Sequence, residues 1–324
     1  GTPTITLDNS DVASYVSGTG TTALVFTTTI AEDDTTDADV AVSSYSGTIT
    51  DSAGGAAAAA SGDLGSVSID GDAPDLVSVA AADNTYKIGD AISITVTWDE
   101  ACVKSGTPTL TLSNGDTATY ASGDGSTALV FTTTVTEGDT DSSDLQVSSY
   151  SGTLADAHGG ACEDASGDLG AVIVDGDTPD ISGADATDAA YGVGEALVIT
   201  VTFDEAVTVT GTPTITLSNS DVASYTSGST STAILFTTTI AQGDSTSSDL
   251  SVSSIQPTAG GATMKDGATN DISTTVTGGD LGAVTVDGAV PVFSSCTATD
   301  AAYGVGEVLT ITCTWGEAVV TSDG

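Results

Sequence analysis

Positive charge is nearly missing from this chain. Lys and Arg together number 3 against 45 Asp and Glu, with a single His, for a formal charge of −42 over 324 residues. A field of that sign repels phosphate at every face, which excludes direct nucleic-acid binding and attachment to anionic membranes. Long apolar runs are missing too: none approaches the ~18 to 20 residues that cross a bilayer, so no membrane insertion is expected in this stretch. Gly1 opens directly on strand-like sequence, with neither an initiating Met nor an apolar leader, and is expected to lie inside a soluble region. Aromatics make up only 5% and charged residues 15%, yet hydrophobic residues reach 39%. That is enough to fill cores and argues against a disordered acidic tail. Cysteine is sparse, with four residues and no Cys-x-x-Cys, and His158 has no partner at ligand spacing, which argues against zinc. An even cysteine count in a Lys-poor, Thr/Ser-rich chain fits an oxidising, extracellular setting.

What is abundant is repetition. The segment GTPTITL at Gly1 returns as GTPTLTL at Gly106 and GTPTITL at Gly211, an advance of 105 residues each time. Tyr15, Tyr120 and Tyr225 keep step, as do Phe26, Phe131 and Phe236, each followed by three threonines. The third copy carries about seven extra residues, expected around Met264 to Thr277, where a surface loop tolerates lengthening. Within a copy the pattern alternates: Ile92, Ile94, Val96 and Trp98 face one way while Ser93, Thr95 and Thr97 face the other, as on a half-buried strand. Further strands are expected near 76–79, 110–112, 118–120, 128–135, 145–147 and 172–174, separated by turns rich in Gly, Asn and Asp. Five alanines at 56–60 are too few to nucleate a helix. Seven or eight short strands per 105 residues indicate an all-β chain of tandem antiparallel β-sandwiches.

Boundaries follow the acidic linker Asp-Gly-Asp-x-Pro-Asp, at 70–75 and 175–180, with an acid-poor version at 287–292. Residues 1–70 are therefore expected to be a unit lacking its first strands, 71–175 and 176–287 complete repeats, and 288–324 the first two strands of a further unit. Tyr303 to Trp315 parallels Tyr191 to Phe203, and Glu317-Ala318-Val319 parallels Glu205-Ala206-Val207. Two readings stay open. Either the terminal strands of one copy complete residues 1–70 of the next copy, head to tail, or neighbouring residues of a longer continuous chain complete both.

The succession Tyr-x-x-Gly-Glu-x-Leu-x-Ile-x-Val-x-Phe-x-Glu-Ala-Val (Tyr191 to Val207), then GTPTITL, Tyr225-Thr-Ser-Gly and Ile234-Leu-Phe-Thr-Thr-Thr-Ile, resembles the immunoglobulin-like repeats of very large extracellular proteins, mainly bacterial adhesins. The resemblance covers essentially the whole chain. It implies a non-catalytic rod, filament or adhesin stalk, secreted or at a cell surface. Cysteine pairs in selected copies and the acid-poor third linker depart from a uniform pattern.

Candidate sites are few. Cys296 and Cys313 match Ala184 and Val201 on neighbouring strands, and Cys102 lies in the same repeat as Cys162. Pairing 102 with 162 and 296 with 313 is expected, against free thiols or an inter-subunit bond. Hard oxygen ligands suit Ca²⁺. The candidates are Asp70, Asp72, Asp75, Asp99 and Glu100 in one repeat, and Asp175, Asp177, Asp180, Asp204 and Glu205 in the next, with Glu137 to Asp144 a weaker set. The bland alternative is that these acids solvate turns.

No enzymatic arrangement stands out. The Cys/His/Asp set of Asp156, His158 and Cys162 has no counterpart in the first repeat (DSAGGAAAA), which marks a variable loop. Adjacent carboxylates such as Asp99 and Glu100 point to opposite strand faces, unlike a glycosidase pair. Trp98 and Trp315 stand at the place of Phe203 and are expected in cores. Thr27, Thr29, Thr132, Thr134, Thr237 and Thr239 are good β-formers and candidate O-glycan acceptors, while no Asn-x-Ser/Thr sequon occurs. The leading expectation is a structural subunit of an extracellular filament or stalk whose partners are copies of itself and surface or matrix glycans. The alternatives are a calcium-dependent carbohydrate-binding or adhesive module, and the spacer of a larger secreted enzyme.

Overall fold

The computed structural model describes residues 1–321, which divide into two compact units, one spanning Gly1–Gly176 and one beginning at Asp177. The described residues form strands and one 3-10 turn, Ala259–Gly261, with no α-helix among them. The alanine run shows only an isolated bridge between Thr50 and Ala56.

The first unit opens with β1 (Thr4–Leu7), β2 (Val12–Ser17), β3 (Val25–Thr27), β4 (Ala41–Ser46) and β5 (Gly62–Asp63). They form one antiparallel sheet in the order β3-β2-β1-β4-β5. It continues with β6 (Leu76–Ala80), β7 (Asn84–Lys87), β8 (Ala91–Leu112), β9 (Thr117–Ser122), β10 (Ser126–Thr134), β11 (Gln146–Ala155), β12 (Gly167–Asp168) and β13 (Val172–Asp175). Here the sheet order is β10-β9-β8-β11-β12, with β6 also on β8 and a second pairing of β10 with β8.

The second unit holds β14 (Ile181–Ala186), β15 (Ala190–Gly192), β16 (Ala196–Thr210), β17 (Thr214–Leu217), β18 (Val222–Ser227), β19 (Ser231–Thr239), β20 (Val252–Gln256), β21 (Thr263–Lys265) and β22 (Thr285–Asp287). A separate hairpin of β23 (Phe293–Ala298) and β24 (Ile311–Trp315) follows.

Two features go beyond the alternation in the sequence. The runs near 92–98 and 110–112 belong to a single 22-residue strand, β8, because the residues between them also find ladder partners: Cys102 opposite Ser126 on β10, and Val103, Lys104 and Ser105 opposite Ala155, Leu154 and Thr153 on β11. One pair in each unit is parallel: β7 with β13 and β15 with β22. An early and a late strand of a repeat thus run side by side with the rest of the repeat as their crossover, a pairing no hairpin can make.

Alternation places the core. Ile92, Ile94, Val96 and Trp98 are all buried, together with Leu110, Leu129 and Phe131. Ile199, Val201, Phe203, Ile215, Ile234 and Phe236 repeat the pattern in the second unit. The 1–70 sheet buries far less, with Leu7, Val40 and Ile69 at its centre. A Tyr–Phe edge-to-face pair ties neighbouring strands three times: Tyr15 with Phe26 at 5.8 Å, Tyr120 with Phe131 at 6.1 Å and Tyr225 with Phe236 at 6.4 Å. The tyrosine hydroxyls then accept the N–H four residues on, at Thr19, Asp124 and Ser229. Glycine follows at that loop for a steric reason. A Cβ on Gly123, at φ +101°, would lie 2.2 Å from the Ala128 carbonyl oxygen, and Gly18 and Gly228 meet Ala23 and Ala233 in the same way.

The extra residues of the third repeat begin earlier than expected. Met264 lies eight positions after Gln256 where Leu154 lies three after Ser151, so the continuous β11 becomes β20 and β21 with the 3-10 turn between them. Trp315 also departs from its expected place. Trp98 is 1% exposed but Trp315 is 40% exposed, because β24 pairs only with β23 and no second layer covers it among the described residues.

Candidate functional site

The acidic linkers are built first by packing. Gly71 runs against the 31–34 turn, where its carbonyl accepts the Asp33 N–H at 2.9 Å and a Cβ would sit 2.1 Å from the Asp34 oxygen. Gly176 meets Asp139 and Gly288 meets Asp244 in the same way, and their carbonyls accept from Gly138 and Gly243 at 2.9 Å. The glycine in each linker is therefore a consequence of close backbone approach.

The acids around these glycines separate into different tasks. Asp99 Oδ1 accepts the Asp75 N–H at 2.8 Å while the Asp99 N–H donates to the Asp75 carbonyl at 3.1 Å, closing the end of the β6–β8 pair. Asp204 and Asp180 repeat both bonds at 2.8 and 3.1 Å. Asp72 accepts from the Thr36 hydroxyl at 3.3 Å. The Asp177 carbonyl accepts from Asn270 Nδ2 at 3.3 Å.

Asp70 and Glu100 do come together, joined by Asp156 from the loop after β11. All three are half-buried. Glu100 lies above the usual glutamate range, first from desolvation and then from the fields of Asp70, Asp72, Asp99 and Asp156. Asp156 Oδ1 accepts three backbone N–H groups, from His158 at 2.6 Å, Gly159 at 2.6 Å and Gly160 at 3.0 Å. This folds the loop so that His158 Nδ1 reaches Asp70 Oδ2 at 2.7 Å. The imidazole thus stands on a carboxylate that was a candidate ion ligand. Cys162, the third member of the Cys/His/Asp set, is bonded to Cys102 and offers no nucleophile.

In the second unit Asp266 takes the place of Asp156, with no histidine beside it. Asp266 is 4% exposed; its Oδ1 accepts the Asn270 N–H at 2.9 Å and its Oδ2 is buried with no hydrogen-bond partner. Carboxylate oxygens of Glu205 and Asp266 lie within 4.8 Å of one another, an acidic group able to hold a metal ion. Asp175, the match of Asp70 in sequence, ends β13. Neither Asp156 nor Asp266 was among the candidate ligands. Their common position ahead of a tight loop was the available signal, hidden by the different loop sequences AHGG and GATN.

Acids of the Glu137 to Asp144 stretch bind backbone on either side of it. Asp139 caps Thr136 at 2.7 Å and Asp141 accepts the Gly176 N–H at 2.8 Å. Among the threonines, Thr27, Thr29, Thr134 and Thr239 are exposed and Thr132 and Thr237 half-buried.

The structure bonds Cys102 to Cys162 and Cys296 to Cys313, with Cα separations of 6.4 and 4.0 Å. In the second unit the matching residues Val207 and Ile272 share one apolar core. Disulfides of this kind persist outside reducing compartments.

No family model and no curated protein matches the chain. Among solved structures it is similar to a crystal structure of a DUF4785 family protein from Legionella pneumophila. The identity is 12% and the TM-score 0.24, over 63% of this chain and 56% of that one. So distant a likeness bears on neither fold nor function.

Proposed function

We propose that this chain is a structural subunit of an extracellular filament or adhesin stalk, built of tandem immunoglobulin-like sandwiches and assembling head to tail with copies of itself. The observation that carries this reading is the recurrence, at 105-residue spacing, of one arrangement with one set of contacts. Residues 4–46 pair in the registers of residues 214–256, and the Tyr–Phe pair, its hairpin glycine and the linker glycine each occur three times. Interchangeable modules suit length and mechanical continuity. The disulfides support an oxidising, extracellular location. Negative-stain electron microscopy of the purified chain tests the proposal. Fibres with three beads per axial repeat are expected, and compact particles that stay monomeric on concentration would overturn it.

A divalent cation, Ca²⁺ by the hardness of the ligands, adds to this reading. The buried, unpartnered Oδ2 of Asp266 beside Glu205 is an orphaned acceptor that such an ion would satisfy, so the residues present fit the group. Bound there, it would neutralise two carboxylates and stiffen the loop after β21. Adding Ca²⁺ is expected to raise the Tm of the chain, chelation to reverse this, and Asp266→Asn to abolish the response. An unchanged Tm in the native chain would exclude the site.

A further inference from the structure

Two of the strand edges left unpaired among the described residues belong to β3 and β24. β3 bonds only to β2, and β24 only to β23. Their counterparts are not edges. In the first unit β8 lies between β6 and β10, with Phe131 opposite Ile94 and Val130 opposite Thr95. In the second, β16 lies between β14 and β19, with Phe236 opposite Ile199 and Leu235 opposite Thr200. The hairpin keeps the register of β14 and β16: Ala184 faces Val201 as Cys296 faces Cys313, and Ile181 faces Phe203 as Phe293 faces Trp315. It is thus the same two-strand element, and among the described residues it pairs with no further strand.

Burial agrees from both sides. Ile94 and Ile199 are 0% exposed, whereas Ile311, their match, is 58% exposed. On the 1–70 sheet Phe26 is half-buried and Ile30 exposed, where Phe131, Phe236, Val135 and Ile240 are fully enclosed. An open groove of about 760 Å³, lined by Pro3, Tyr15, Leu24, Ile49 and Thr50 among others, lies on the same sheet. Ile49 matches Leu154, whose ladder partner is Lys104 on the second half of β8. The residues that follow Trp315, including the exposed Val319 and Val320, match that half of the strand, where Cys102 and Val207 are buried.

We infer that β23 and β24 of one copy dock on the 1–70 sheet of a second copy of this chain. β24 adds antiparallel to β3 with Ile311 opposite Phe26 and Thr312 opposite Val25, and the Ala318 to Val320 segment fills the groove. The interface is established twice within the chain, between β8 and β10 and between β16 and β19. Addition of a strand to an open edge supplies main-chain hydrogen bonds, and the alternate side chains supply the specificity. The inference rests on the head-to-tail filament reading and names its joint.

The test uses single variants of the full chain, mixed in pairs. Val25 and Thr312 are both exposed and the four native cysteines are all bonded, so new thiols at these positions report only on each other. Val25→Cys mixed with Thr312→Cys is expected to yield a disulfide-linked dimer on a non-reducing gel. Val25→Cys mixed with Val308→Cys, four residues out of register, is expected to stay at background. Equal yields in the two mixtures, or no dimer in either, would overturn the docking. Trp98 is already buried, so a blue shift of native tryptophan emission as protein concentration rises reports cover over Trp315, and an unshifted spectrum counts against it. Fibres without the in-register dimer would leave the filament and remove this joint. In-register dimers without fibres would keep the joint and remove the filament.

Discussion

At the scale of single residues, the repeats act as internal controls for one another. Tyr150 is half-buried; its hydroxyl finds no partner, and its pKa is pushed up to about 12 by desolvation and by Asp164. The matching Tyr45 donates to the Ala57 carbonyl at 2.9 Å, and the third repeat has Ile255 there, buried. The site accepts an apolar side chain, so Tyr150→Phe should leave stability unchanged or raise it by up to about 1 kcal/mol in urea unfolding. Glu100 makes a prediction of opposite kind. Its carboxyl titrates above the ordinary glutamate value of 4.5, so folding favours the protonated form. The stability it contributes is present below 4.5 and is lost as pH rises through the raised folded value. Glu100→Gln should flatten the pH dependence of Tm in that window and raise Tm at neutral pH, as read by calorimetry across a pH series.

Elements show how the same strand is secured by different chemistry in different copies. Val207 and Ile272 meet by apolar packing, whereas Cys102 and Cys162 are covalently joined across 60 residues of sequence. Closing a loop of that length stabilises by about 4 kcal/mol in the chain-entropy model, and the 17-residue Cys296–Cys313 closure by about 3 kcal/mol. Replacing Cys102 and Cys162 together by Val and Ile should therefore lower unfolding stability by less than reduction alone, because the substituted pair restores the packing of the second unit. Denaturant titrations of the reduced native chain and of the double variant decide this. Strand existence was largely legible in the sequence, since period-two alternation at Ile92 to Trp98 carries its own evidence. Strand length and direction were not. The merging of two runs into β8 and the parallel β7–β13 pair depend on partners more than 30 residues away, which no local pattern encodes.

For the whole molecule, a net charge of −42 is the dominant long-range term. Like charges repel across each unit, and the repulsion reaches about 30 Å at 0.01 M salt but only about 8 Å at 0.15 M. Raising monovalent salt across that range should raise Tm and promote contact between copies. A Tm that falls with salt would mean that the few attractive pairs, such as Lys265 with Asp271 at 2.6 Å, outweigh the self-repulsion.

The sequence alone determined the all-β character and the 105-residue period, because alternation and repetition are local and additive along a chain. It also ranked the acids by spacing, and there spacing was insufficient. Asp99 and Asp75 are neighbours that serve the backbone, while Asp156 arrives at Asp70 from a loop more than 80 residues on and brings His158 with it. Only the tertiary structure could decide which carboxylates share a space, which one is buried without a partner, and which strand edges stand open. Those properties depend on distance through space and on access to water, and both are fixed by packing.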